Sequence, residues 1–147
     1  CKLPNNQQAE IIDLPGTYSL NPSSEDEQVA VETLINRQGV YFPDVVVMVS
    51  EVSNLKQNLL LFTQVKDLQL PTILVINMAD QMQRKGISIN LSKLEQLLHT
   101  KVVLTSTRKG EGLLALKEAI TNFKELSVAP CVDMSRLEAI PFGTSGK

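Results

Sequence analysis

The feature that most restricts this chain is a repeated change of period. Short apolar runs rich in β-branched residues, Val45–Ser50, Thr72–Asn77 and Val102–Thr105, alternate with longer stretches in which leucines recur at helical spacing. The first two are apolar on both faces, as a strand covered by helices on both sides must be. A less apolar run, Ala9–Asp13, ends before the turn pair Pro15-Gly16 and reads as the first strand. Helices are expected between these runs. One spans about Glu25 to Asn36, with Ser23 and Ser24 at capping-box spacing from Asp26 and Glu27. Another carries Leu55, Leu59, Phe62 and Leu68 and is closed by Pro71; a third follows the cap residue Asn90, with Leu94, Leu97 and Leu98. A fourth follows Gly110–Gly112, with Leu113, Leu116, Ile120 and Phe123 on one face, and a last short one is expected over Asp133–Ile140. Strand–helix alternation of this kind predicts a three-layer α/β fold, a mostly parallel sheet between helices.

The 147 residues suffice for one such domain with its own core. A net charge of −2 gives no basis for binding nucleic acid or an anionic membrane surface. No apolar run approaches the ~20 residues that span a bilayer. Two cysteines, Cys1 and Cys131, make neither a disulfide framework nor a metal site. The opening Cys-Lys-Leu-Pro, without an initiator Met or a signal pattern, is expected to lie partway into a larger gene product.

In such folds ligands bind beyond the carboxyl ends of the strands. The first expected strand ends in Asp13-Leu14-Pro15-Gly16. An Asp there can hold Mg2+, a hard cation that prefers carboxylate oxygen. A Gly three residues on lets its backbone N–H approach a γ-phosphate. Thr72–Asn77 ends in Asn77-Met78-Ala79-Asp80, whose carboxylate can accept two parallel hydrogen bonds from N1 and N2 of guanine, a pattern adenine does not offer. Val102–Thr105 leads into Ser106-Thr107-Arg108, where a backbone N–H near Thr107 would meet the guanine O6. Each motif alone is weak, since Pro-Gly, Asn and Ser also serve turns and caps. Their order, each after an expected parallel strand, carries the reading.

The longer string Asp13-Leu14-Pro15-Gly16-Thr17-Tyr18-Ser19-Leu20 resembles the switch II signature of the FeoB-type ferrous iron transporters, which carry an N-terminal cytosolic GTPase domain. Further stretches are similar in the same order: Ser53-Asn54-Leu55-Lys56-Gln57-Asn58-Leu59, Asn77-Met78-Ala79-Asp80, Lys85-Gly86-Ile87, and Thr105-Ser106 with Lys109-Gly110-Glu111-Gly112. The resemblance covers roughly residues 8–125 and implies a Ras-like G domain of the P-loop NTPase fold. It implies GTP or GDP with Mg2+ as ligands. Asp13 and Gly16 would serve the metal and γ-phosphate, Asn77, Met78 and Asp80 the guanine, and Ser106, Thr107 and Arg108 the base pocket. Thr17 stands where Ras-like GTPases carry the water-orienting glutamine, which implies slow intrinsic hydrolysis. The implied partner is a membrane permease domain of the same polypeptide, at the cytoplasmic face of the inner membrane. Residues 1–127 would form a partial G domain, and 128–147 a linker or the start of a helical region. The alternatives are a soluble ribosome-associated GTPase and a non-catalytic module that kept a guanine pocket.

One departure stands out: no G-x-x-x-x-G-K-[ST] phosphate loop occurs anywhere in the sequence. The terminal Gly143-Thr-Ser-Gly-Lys147 has Pro141 at the first-Gly position and nothing after its Lys. These residues alone are therefore expected to bind GTP weakly or not at all and to be inactive. The strand that feeds such a loop would lie between Ile11–Asp13 and Val45–Ser50, so its absence predicts unpaired edges or different pairing, and either a longer chain or an altered or oligomeric form. His99 is expected to be a surface or helix-end residue, Cys131 to be inert, and the Glu25–Glu27 run to stabilise a helix N-terminus.

Overall fold

The computed structural model describes residues 1–131, so the helix expected over Asp133–Ile140 and the terminal glycine-rich stretch lie outside the described residues. Three strands, β1 (Val46–Glu51), β2 (Thr72–Asn77) and β3 (Val102–Leu104), form a parallel sheet in the order β1-β2-β3. Leu74 pairs with Met48 on one side and Val102 on the other. The central strand is buried along Thr72–Ile76, which explains its lack of polar alternation.

The helices follow from their caps and apolar spacing. In α1 (Glu25–Ile35), the N-cap Ser24 accepts the N–H of Glu27 at 3.2 Å, while the Glu27 carboxylate accepts the N–H and hydroxyl of Ser23 at 2.7 and 2.8 Å. The carboxylate thus returns one residue further back than in the usual box. The next helix, α2 (Leu55–Asp67), enters through a short turn, and Asn90 caps α3 (Leu91–Leu98) by accepting from Lys93 N–H at 3.0 Å. The last helix among the described residues, α4 (Leu113–Thr121), starts at Gly112 and is followed by a 3-10 turn that takes Phe123 out of the helix. Phe62 of α2 and Leu98 of α3 pack on Leu74, Ile76 and Val102, while Leu116, Ala119 and Ile120 of α4 pack on Ile73, Val75 and Val103. Alternate residues of β2 thus face opposite helical layers. Leu34 of α1 joins Leu61, Val65 and Leu70 beside α2.

The strand expected over Ala9–Asp13 does not form. Ala9 instead closes a small N-terminal hairpin: its N–H donates to the carbonyl of Cys1 at 2.8 Å, and its carbonyl accepts from the Cys1 amino group at 2.7 Å. Lys2 and Gln8 bridge antiparallel across a turn with Asn6 at φ 62°. From Glu10 to Gly16 the chain has no ladder partner, and Ile11 is 73% exposed. A strand forms only where a neighbour takes its hydrogen bonds. Among the described residues β1 has β2 on one side and no strand on the other, so the two segments stay apart.

Candidate guanine-recognition site

Because β2 and β3 are parallel, with Ile76 beside Leu104, both leave the sheet at the same edge. There the two loops are tied together. Thr105 N–H donates to Ile76 O at 2.9 Å and Ala79 N–H to Thr105 O at 3.1 Å. The Asn77 carboxamide bridges the loops: its Oδ1 accepts the Thr105 hydroxyl at 3.1 Å and the Thr107 N–H at 3.2 Å, and its Nδ2 donates to the Thr107 hydroxyl at 3.3 Å. Both polar ends of the amide are engaged, which fixes its orientation.

Met78 takes the left-handed backbone (φ 62°), turning the chain into the 3-10 turn Ala79–Gln81. That conformation costs a non-glycine residue about 1–2 kcal/mol, and it brings Asp80 back towards the β3 loop. There the buried Ser106 hydroxyl donates to Asp80 Oδ1 at 2.9 Å. Ser106 and Glu111 exchange two backbone hydrogen bonds, both 3.1 Å, closing the loop behind it. Gly112 completes the closure: at φ +80° a Cβ would lie 2.1 Å from Leu104 O, so no side chain fits.

Around these loops lies a cavity of about 240 Å³ lined by Asn77, Met78, Asp80, Gln81, Ser106, Thr107 and Arg108. Six of the residues singled out in the sequence meet there, and Gln81 joins them. A carboxylate has roughly four acceptor positions, so the single bond from Ser106 leaves Asp80 able to accept a further pair of donors. Asp13 and Gly16 are not among the lining residues. Asp13 is exposed, and beyond Gly16 and its two chain neighbours no heavy atom lies within 4 Å of where a Cβ of Gly16 would be. Among the described residues no three His, Cys, Asp or Glu side chains cluster as a metal site. A lone carboxylate fits only an ion like Mg2+, most of whose ligands are water and phosphate oxygen.

Sequence reading missed the division of labour within the pair Thr105-Ser106, whose first hydroxyl fixes Asn77 and whose second fixes Asp80. The signal was present, two hydroxyl residues at the end of the strand beside Asn77, but it needs the pairing of β2 with β3 to be read. Tyr18 is 71% exposed, and His99 caps α3 in a left-handed conformation.

A parallel sheet between helices, with these two loops at its carboxyl edge, defines the class: a G-domain-like member of the P-loop NTPase fold. Residues 1–120 match the family model described as "Ferrous iron transport protein B". The chain is 35% identical over 116 residues to the Fe(2+) transporter FeoB of Leptospira biflexa, covering 79% of this chain and 16% of that protein. It is 36% identical over 125 residues to the Campylobacter jejuni transporter, covering 85% of this chain and 20% of the relative. The solved FeoB G-domain of Methanococcus jannaschii superposes with a TM-score of 0.70 at 38% identity, covering 76% of this chain and 69% of that one. The mGMPPNP-bound NFeoB of S. thermophilus does so with a TM-score of 0.73 at 34% identity, covering 86% and 47%. The chain belongs to the ferrous iron transport protein B family. It spans a fifth or less of the length of these two curated relatives.

Proposed function

We propose that this chain supplies the guanine-reading half of a GTPase domain that couples nucleotide state to ferrous iron uptake. The observation that carries the reading is the Asn77–Asp80 loop, held against Thr105–Thr107 by four side-chain hydrogen bonds beside a cavity. In this reading Asp80 accepts from N1 and N2 of guanine, Asn77 holds the two loops in register, and Ser106, Thr107 and Arg108 border the base. Solved relatives bound to mGMPPNP and to GDP.AlF4- support a guanine nucleotide as the ligand. Mg2+ would reach Asp13 together with the phosphates, and Gly16 would offer its N–H to the γ-phosphate. Hydrolysis of GTP and the link to a membrane permease in the same polypeptide belong to the intact protein, with the G domain ending near residue 127. No described helix is long and apolar enough to cross a membrane.

The test is base selectivity in the intact protein. Asp80→Asn exchanges one acceptor for a donor, which mismatches the guanine 2-amino group and matches the 2-oxo group of xanthine. Guanine-nucleotide affinity should fall about ten- to hundredfold, the loss of a charge-assisted hydrogen bond. Xanthine-nucleotide affinity should rise. Unchanged selectivity among GTP, ATP and XTP, measured by competition, would remove Asp80 from the site.

A further inference from the structure

The last described residues form a strap that changes sides. Leu126 packs with Ile73, Val75, Val103 and Ala119 on the α4 face of the sheet, whereas Cys131 packs with Phe62, Leu74 and Leu98 on the α2–α3 face. Between them the chain passes the amino-terminal edge of the sheet, the end opposite Asn77 and Asp80. Residues Ser127–Pro130 are exposed, and Leu126 and Ser127 border a cavity of about 620 Å³ with His99, Lys101 and Asn122. The middle of the strap is thus not packed down.

What holds that middle is Lys66, in the last turn of α2. Its side chain is buried, and its Nζ donates to Ser127 O at 2.5 Å and His99 O at 3.1 Å. The Cys131 thiol, which donates to Leu98 O at 3.3 Å, ties the strap to the same end of α3. Both partners of the Lys66 ammonium among the described residues are backbone carbonyls. Burial lowers the lysine pKa, with Cys131 pulling the other way, so the charge is held at a cost. An apolar side chain would fill such a place with less desolvation. A lysine instead makes the attachment rest on two polar contacts to backbone carbonyls.

The same helix grips a second segment. Gln64 Oε1 accepts the N–H of Leu20 at 2.9 Å, and Leu14 and Leu20 pack with Leu61 and Val65. Two residues apart, Gln64 and Lys66 point to different sides of α2. We propose that Lys66 is the latch of a releasable strap, residues 126–131, and that α2 couples this strap to the Leu14–Leu20 segment through Gln64. Any regulation by nucleotide rests on the function proposed above; the coupling itself does not.

The reporter is built in, because in the Cys1→Ser chain Cys131 is the one thiol. Its rate of reaction with the chromogenic disulfide DTNB reads the opening of the strap. Lys66→Met should raise that rate about tenfold or more, the effect of removing a hydrogen-bonded charge. Lys66→Arg, which keeps the cationic donors, should return it towards the parent value. Gln64→Leu should raise it about twofold, the worth of a weak neutral hydrogen bond, and add nothing in the Lys66→Met background. An unchanged rate in Lys66→Met with native circular dichroism would overturn the latch. Additive effects of the two substitutions, or none from Gln64→Leu, would overturn the coupling. If Lys66→Met does not fold, the thiol of the parent decides: Cys131 should become fully reactive towards DTNB at urea concentrations well below the unfolding midpoint. Reaction of Cys131 only in step with global unfolding would refute the proposal. No nucleotide enters these measurements, so they stand whatever Asp80→Asn shows.

Discussion

The two segments read as nucleotide-binding in the sequence differ sharply in how they are held. Asn77–Asp80 and Thr105–Arg108 leave neighbouring parallel strands and fasten to each other through the Asn77 amide and the Asp80–Ser106 pair. Asp13–Leu20 leaves no strand; Thr17 and Ser19 bond only to nearby backbone, and the segment is fixed at Leu14, Leu20 and Gln64. Motif residues become a preorganised site where the sheet supplies two adjacent strand ends. Where it does not, the same kind of motif remains an exposed loop.

The comparison would break most visibly at Gly112. A methyl there meets the Leu104 carbonyl and imposes a left-handed backbone on a side-chain-bearing residue. Gly112→Ala should therefore lower stability by roughly 2–5 kcal/mol, combining backbone strain with overpacking. Urea unfolding measures it; a loss under about 0.5 kcal/mol, the range of a neutral surface change, would mean the loop is not held as described. Gly16→Ala, at a position with open space around it, should be close to neutral in the same assay.

Next in size is the contrast between Asn77 and Asp13. Asn77→Ala leaves the buried Thr105 hydroxyl without its acceptor and should cost about 1–3 kcal/mol. Asp13→Ala, at an exposed residue with no protein partner among the described contacts, should stay within about 0.5 kcal/mol. Equal losses in urea midpoints would show that the two segments are held alike.

The same contrast explains what could be read from the sequence. Val45–Ser50, Thr72–Asn77 and Val102–Thr105 were legible because a buried parallel strand needs continuous apolar residues, and each appears within one residue of its expected bounds. The Ser24–Glu27 cap and the Asn90 cap were legible because capping is local in sequence. Ala9–Asp13 misled because its local pattern suits a strand, whereas a strand is decided by a partner far along the chain. Lys66 gave no signal at all. A lysine near a helix C-terminus is ordinarily exposed and paired with the dipole, whereas this one is buried against the carbonyls of His99 and Ser127, far along the chain.

The smallest predicted effect lies where the loose segment meets its first regular element. The Glu27 carboxyl is held below the usual glutamate range by the Ser23 N–H foremost and then by the Ser23 hydroxyl, with desolvation opposing them and the Ser24 backbone adding least. A carboxyl whose pKa is lower folded than unfolded stabilises the fold once pH exceeds the unfolded value, about 4.3 for Glu. That contribution fades as pH falls through the folded value, because both states are then protonated. Glu27→Gln keeps an amide oxygen for Ser23 but removes the charge, so it should be slightly less stable than the parent at pH 7. The gap should close as pH is lowered through the carboxylate range, in parallel urea titrations of the two chains. Since Glu27 is at the surface, salt should shrink the gap as well. A gap that stayed constant with pH would mean that Ser24 alone caps α1, and that the chain entering it is as loosely held as Asp13–Gly16.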